Sequence, residues 1–299
     1  MNLQKSDFKI IGNKGYLNNL KENKNLKKIK SKRPYISFGI LGVIILLCIF
    51  AEGVMTHDPS YLNLRDVSSA PSSEFLFGTD TMGRDIFSMI WYGGRISLFI
   101  GFLATLISTV IAIIYGTVSA CSNSYIDDLM MRITEIILTI PSILVIIFIQ
   151  GMLGESSVIS LAFIIGITSW MNMAKVVRAE VSQIKHSEYI LASKTMGAGF
   201  FHILKEHMIL NFIPAIMFMV VTSIAAAIGT EATLSFLGIG LPIDSISWGS
   251  MLSLADSALL SNLWWIIIIP GFFLVITLLC ITNIGNYLRG ISNKKQSNL

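Results

Sequence analysis

The sequence predicts an all-α integral membrane protein with six transmembrane helices, and three observations carry the prediction. Of 299 residues, 53% are hydrophobic and only 13% charged, against roughly 25% charged in soluble globular domains; mean hydropathy is +0.70. The apolar residues gather in six uncharged runs, each approaching the ~20 residues that cross ~30 Å of hydrocarbon as a helix. Between the fourth and fifth runs lies a charged, glycine-centred island, residues 188–211, with helical apolar spacing that an ordinary loop does not need.

Taken in order, residues 1–34 form a polar tail holding ten Lys or Arg against Asp7 and Glu22. Such a tail is much longer than a secretory n-region, and no small-residue cleavage site follows the apolar run after it; a polybasic patch of this kind is also suited to touching anionic lipid. The spans are read at 35–51, 95–121, 136–153, 158–174, 212–230 and 263–284, the first helix extending to residue 54. Pro141 and Pro270 fall inside spans, where neighbouring helices can satisfy the freed carbonyls. Residues 55–94 make a long loop carrying Asp58, Asp66, Glu74, Asp80 and Asp85, which read either as a mildly acidic face or as solvated surface. Residues 233–262 hold apolar stretches too short to span, LSFLGIGLP and SISWGSML, read as a re-entrant cap. Trp91, Tyr92, Trp248, Trp264 and Trp265 sit at span boundaries and read as an aromatic belt.

Charge sets the orientation. The tail, Arg132, the island with its approaches at 175–205 and the chain after Tyr287 together hold nineteen Lys or Arg, whereas the opposite loops hold Arg65 and Arg84, with Arg95 at the boundary. The positive-inside rule makes the tail, the island and residues 287–299 cytoplasmic. Outside the tail the net charge is about −4, beside +4 for the whole chain, which excludes a general nucleic-acid-binding surface. Cys48, Cys121 and Cys280 lie far apart in or beside apolar runs and suggest neither disulfides nor a metal site; the four histidines have no ligand spacing.

Within the island, Tyr189, Ala192 and Met196 precede the Gly197-Ala198-Gly199 break and Phe201, Leu204 and Met208 follow it, predicting two short amphipathic helices hinged at Gly197. On pattern alone the segment either lies on the membrane surface or docks on a partner. Gly197 supplies a conformation or a close approach that a Cβ would obstruct. Glu188 is either a favourable helix N-terminal charge or a partner contact. Arg132 and Glu135, at i and i+3, read as an ion pair worth about 0.2–0.5 kcal/mol, in preference to a gating role. Glu231, ending an apolar helix, either lines an outer gate or meets water at the interface.

The residue order Glu188, Ala192, Gly197, His207 and Asn211 resembles the cytoplasmic "EAA" loop of ABC-importer permeases. FGTDTMGRDIFSMIWYGGRISL, YIDDLMMRITEIILTIPS, GTEATLSFLGIG and SWGSML are similar to stretches of the peptide/nickel subfamily, specifically the permease partner with an extended N-terminus. The likeness covers about residues 77–285, with five motifs in order. Departures from the family pattern fall at Ser193, Lys194, Thr195, Glu206 and Leu210, the last where a Pro usually precedes Asn211, which lets the fifth helix start earlier.

The resemblance implies a type I permease core at 95–286, with a coupling loop at 175–211 and an extracellular cap at 233–262. No GxxxxGK[ST] loop is present. ATP and Mg are therefore expected on two separate ATPase subunits, and no cofactor on this chain. Also implied are a second homologous permease subunit, an external substrate-binding lipoprotein, and uptake of short peptides by alternating access. Nickel or a metal chelate is the alternative cargo. A secondary transporter would show ionisable residues at mid-span, which these runs lack, and an enzyme would show a catalytic constellation.

Overall fold

A computed structural model describes residues 34–154, 157–242 and 244–296, apart from the side chains of Lys194, Phe200, Phe201, His207, Leu210, Asp256 and 292–296. The basic tail lies outside the described residues. Among the described residues thirteen α-helices follow in order: α1 Tyr35–Ile49, α2 Ala51–Val54, α3 Ile86–Cys121, α4 Ser124–Leu138, α5 Ser142–Leu153, α6 Val158–Ser169, α7 Met171–Ile184, α8 Glu188–Thr195, α9 Phe200–Ile203, α10 Ile209–Phe236, α11 Trp248–Leu252, α12 Ala255–Leu260 and α13 Trp264–Gln296. A π-helical turn, Leu204–Met208, joins α9 to α10. No strand occurs among the described residues.

Among the described residues three single helices, α3, α10 and α13, are long and apolar enough to cross a membrane. The pairs α4–α5 and α6–α7 qualify only together, bent by 84° and 47°. Helix α1, where the first span is expected, is apolar but at 15 residues shorter than these candidates. The third span therefore departs from a straight helix over 136–153. Pro141 is the N-cap of α5 rather than an interior residue, because the residue before a proline is driven out of the α region and helices end there. The fourth span breaks at Trp170, which caps both α6 and α7. The second begins at Ile86 rather than Arg95, since Asp85 accepts a hydrogen bond from Ser88 N as N-cap. The fifth begins at Ile209 and is continued backwards by the π turn.

Central α3 packs along α6, α7 and α10; α10 packs on α13, and α13 on α1. Small residues let these backbones approach: a Cβ on Gly116 would lie 2.6 Å from Ala174 O. Arg95 of α3 takes the end of α1, donating from Nε to Cys48 O (2.7 Å), from Nη2 to Ile49 O (2.6 Å) and from Nη1 to Glu52 (3.0 Å). A cation thus satisfies carbonyls that a helix C-terminus leaves open.

The loop after α2 is built rather than merely solvated. Buried Asp80 accepts from Met82 N, Arg84 N and Arg84 Nε, and Asp85 also accepts from Thr56 Oγ1. Gly83 has φ +77°, and a Cβ there would fall 1.9 Å from Asn63 O. Of the expected aromatic belt, Trp91, Trp248 and Trp265 are instead core residues. Trp248 Nε1 donates to Ile90 O and Trp265 Nε1 to Thr79 O, so the polar edges of these two are satisfied inside the protein, whereas Trp91 Nε1 is buried without a hydrogen-bond partner among the described residues. Exposed Trp264 keeps a belt-like position.

Candidate functional site

The island folds as two helical pieces around Gly197. Helix α8 closes in a Schellman-type turn: Ala198 N donates to Ser193 O (3.1 Å) and Gly197 takes φ +88°. A Cβ at Gly197 would meet nothing within 4 Å in this chain. Conformation, rather than a close approach within the chain, is what the glycine supplies here.

The apolar residues divide between two faces. Ile190, Ile203 and Met208 are buried with Ala174, Val177 and Val181 of α7, and Ala198 and Leu204 pack against that cluster. On the other face Tyr189, Leu191, Ala192 and Met196 are exposed, Met196 by 82%. Glu188 is exposed in the first turn of α8. The side chain of His207 lies outside the described residues. The periodicity named the exposed stripe but missed Ile190, the inward anchor.

A cavity of about 450 Å³ opens where both bent spans break. Ile140, Pro141 and Ser142 at the α4–α5 elbow, Thr168, Ser169 and Met171 to Met173 at the α6–α7 break, Thr105 and Ser108 of α3, and Ser223 and Thr230 of α10 contribute to its wall. None of the described residues lining it is charged. Thr105 Oγ1 is buried without a hydrogen-bond partner in the protein, a donor available to a guest or a water. Sequence reading passed over these hydroxyls, because Ser and Thr within a span usually bond back to their own helix, as Thr168 does to Ile164 O.

Glu231 meets neither water nor this cavity. It is fully buried and accepts three hydroxyl hydrogen bonds: Ser97 Oγ of α3 to Oε2 (3.1 Å), and Ser235 Oγ (2.9 Å) and Ser247 Oγ (2.7 Å) to Oε1. Ser97 Oγ also accepts from Trp248 N (3.2 Å). The carboxyl joins α3, α10 and the cap. Full burial overturns the expectation that it meets water at the interface; its partners lie 134 and 16 residues away as well as one turn away.

Arg132 and Glu135 lie 3.6 Å apart and are exposed by 79% and 51%; Lys175 of α7 stands 3.7 Å from Glu135. None of the three lines the cavity. Nearby, Arg178 Nε donates to both oxygens of Asp127 at 3.0 and 3.2 Å, and Ser119 Oγ donates to the same carboxylate (2.6 Å). Among the described residues no cluster of three or more His, Cys, Asp or Glu could hold a metal ion.

Long apolar helices around an uncharged internal cavity, with broken spans at its wall and a hinged helical segment beside them, define a membrane transport component. Residues 108–298 match the family described as the binding-protein-dependent transport system inner membrane component, and the chain belongs to it. It is 35% identical over 294 residues to the dipeptide transport system permease protein DppC of Bacillus subtilis (strain 168), covering 92% of each chain. It is 37% identical over 265 residues to the oligopeptide transport system permease protein OppC of the same organism, covering 89% of this chain and 86% of that one. A solved structure of the MetNI methionine ABC transporter matches with a TM-score of 0.47 at 15% identity, covering 63% of this chain and 96% of that chain.

Proposed function

We propose that the chain is the permease subunit of an ATP-driven importer that admits short peptides by alternating access. One observation carries the mechanism: α8 presents Tyr189, Leu191, Ala192 and Met196 outwards while Ile190 fixes it to α7. An apolar helix face held by its opposite side and hinged on a positive-φ glycine suits a groove on a partner. The partner is an ATPase: the sequence has no phosphate loop of its own, and ATP and Mg are its ligands. Glu188, Tyr189, Ala192, Met196 and Gly197 form the contact; Ala198 and Leu204 pass the movement inward. Two such ATPase subunits, a second homologous permease and an external substrate-binding lipoprotein complete the assembly. Both termini are cytoplasmic, following the excess of Lys and Arg at that end.

The uncharged cavity favours peptides over nickel. A bare divalent ion needs carboxylate or imidazole ligands, and the wall offers hydroxyls, an amide and thioethers instead. Hydroxyl donors and acceptors can meet peptide backbone without choosing side chains. The test is uptake of labelled trialanine by cells of the native host, with the wild-type chain and with Gly197→Asp. Wild-type uptake that collapses in the variant, with the chain still in the membrane, is expected. Undiminished uptake by the variant refutes the coupling assignment.

A further inference from the structure

Helix α4 is an arm with little apolar attachment. Thr134 is its only buried residue, while Ile126, Leu129, Ile133 and Ile136 are exposed. Polar contacts hold it in place. Tyr115 Oη and Ser119 Oγ of α3 donate to Met130 O and Asp127, and α7 contributes two cations, Arg178 to Asp127 and Lys175 to Glu135. Lys175 and Arg178 stand one turn apart on α7, and Asp127 and Glu135 about two turns apart on α4, so each helix turns one face to the other.

The placement of the ends gives these bonds a consequence. At its far end α4 runs into the elbow at Leu138, Ile140 and Pro141, which walls the cavity. Helix α7 begins at the same cavity with Met171, Asn172 and Met173 and ends at Ile184, only a short turn before α8. The hinged segment is therefore covalently continuous with one cavity wall and joined to the elbow wall through side chains.

We propose that Asp127–Arg178, seconded by Glu135–Lys175, is the link that makes α4 follow α7, so that displacing the hinged segment moves both cavity walls together. Arg178 engages both carboxylate oxygens through a fork of Nε and Nη2, a geometry that resists rotation as well as separation. The Lys175–Glu135 pair is more exposed and single-pronged, so it contributes less. Asp127 and Arg178 are positioning residues, and the inference rests on the importer reading given above.

The test uses the complete assembly, purified from native-host membranes through a tag on this chain, with nitroxide labels on the exposed residues Leu129 of α4 and Gln183 of α7. Distance distributions are recorded without nucleotide and with ATP and vanadate, alongside ATP hydrolysis. The wild type is expected to give one narrow distance that is the same in both states. Asp127→Asn and Arg178→Gln should broaden or displace it by several ångströms in the trapped state while hydrolysis continues. Arg178→Lys, which keeps the charge without the fork, should fall between, and the exchange D127R with R178D should restore the narrow distance. A merely stabilising pair would lower the yield of assembly without separating the two helices in assembled material.

Distributions in Asp127→Asn and Arg178→Lys identical to wild type in both states overturn the inference and leave the importer reading standing. If Asp127→Asn fails to assemble, the Arg178→Lys distribution decides alone. A wild-type assembly that hydrolyses no ATP overturns the importer reading, and this inference with it.

Discussion

Replacing Glu231 separates a structural tie from a pathway residue. Its carboxyl accepts from Ser97, Ser235 and Ser247 at 3.1, 2.9 and 2.7 Å, with no solvent exposure. Glutamine can keep its carbonyl at the Oε1 position, where Ser235 and Ser247 both donate. Its NH₂ would then face Ser97 Oγ, which already accepts from Trp248 N. A hydroxyl has two lone pairs, so Ser97 can accept both and loses only the partner of its own proton. The cost is about one hydrogen bond, ~1 kcal/mol. Alanine removes all three acceptor contacts and leaves a void against Gly249, whose Cβ position is 3.0 Å from Oε1. Two or more orphaned hydroxyls at ~1 kcal/mol or more each, plus the void, give about 3–5 kcal/mol. Alkylation of Cys48 reads the opening, since this thiol is buried and adjoins Trp248 across Gly94. In a background lacking Cys121 and Cys280, Glu231→Gln should react up to about tenfold faster than wild type and Glu231→Ala more than a hundredfold faster. Equal alkylation rates for alanine and wild type would refute the tie.

Two further substitutions test the frame around that node. Arg95→Gln should release the end of α1 from α3, costing about 2–3 kcal/mol for charge-assisted bonds to Cys48 O and Ile49 O, seen as faster proteolysis near Phe50. Gly83→Ala should open the loop after α2, because a left-handed residue costs ~1–2 kcal/mol and its Cβ would overlap Asn63 O; protease nicking within 55–85 measures it.

How far the sequence led can be traced through particular residues. Hydropathy marked the apolar runs that become α3, α10, α13 and the two bent pairs, because lipid exposure imposes apolarity wherever a chain crosses a bilayer. It did not show that the third and fourth are broken, since a bend at Pro141 or Trp170 leaves the apolar count unchanged. The 3,4 spacing of Tyr189, Ala192 and Met196 marked a helix but not its amphipathicity, because apolar residues fall on both faces of α8, and it could not tell which face was inward. That choice belongs to Ile190 and its contact with α7. The aspartates at 80 and 85 looked like solvated charge, yet both are buried among donors contributed by a tight glycine turn and a helix start. Glu231 was noticed for its cost in an apolar helix, and its remedy lies in hydroxyls brought from two other elements. The cavity was invisible for the same reason: its wall comes from four separate spans, and no single span carries an unusual residue.

The claim on which the account turns is that the exposed face of α8 receives an ATPase. A photo-crosslinking residue at Met196, which is 82% exposed, tests it directly in native-host membranes, with the same residue at exposed Ser72 as control. The account predicts an adduct from Met196 with a polypeptide that also labels with azido-ATP, lost in Gly197→Asp, and none from Ser72. Adducts from Met196 with lipid alone, in membranes where this chain is assembled, would contradict it.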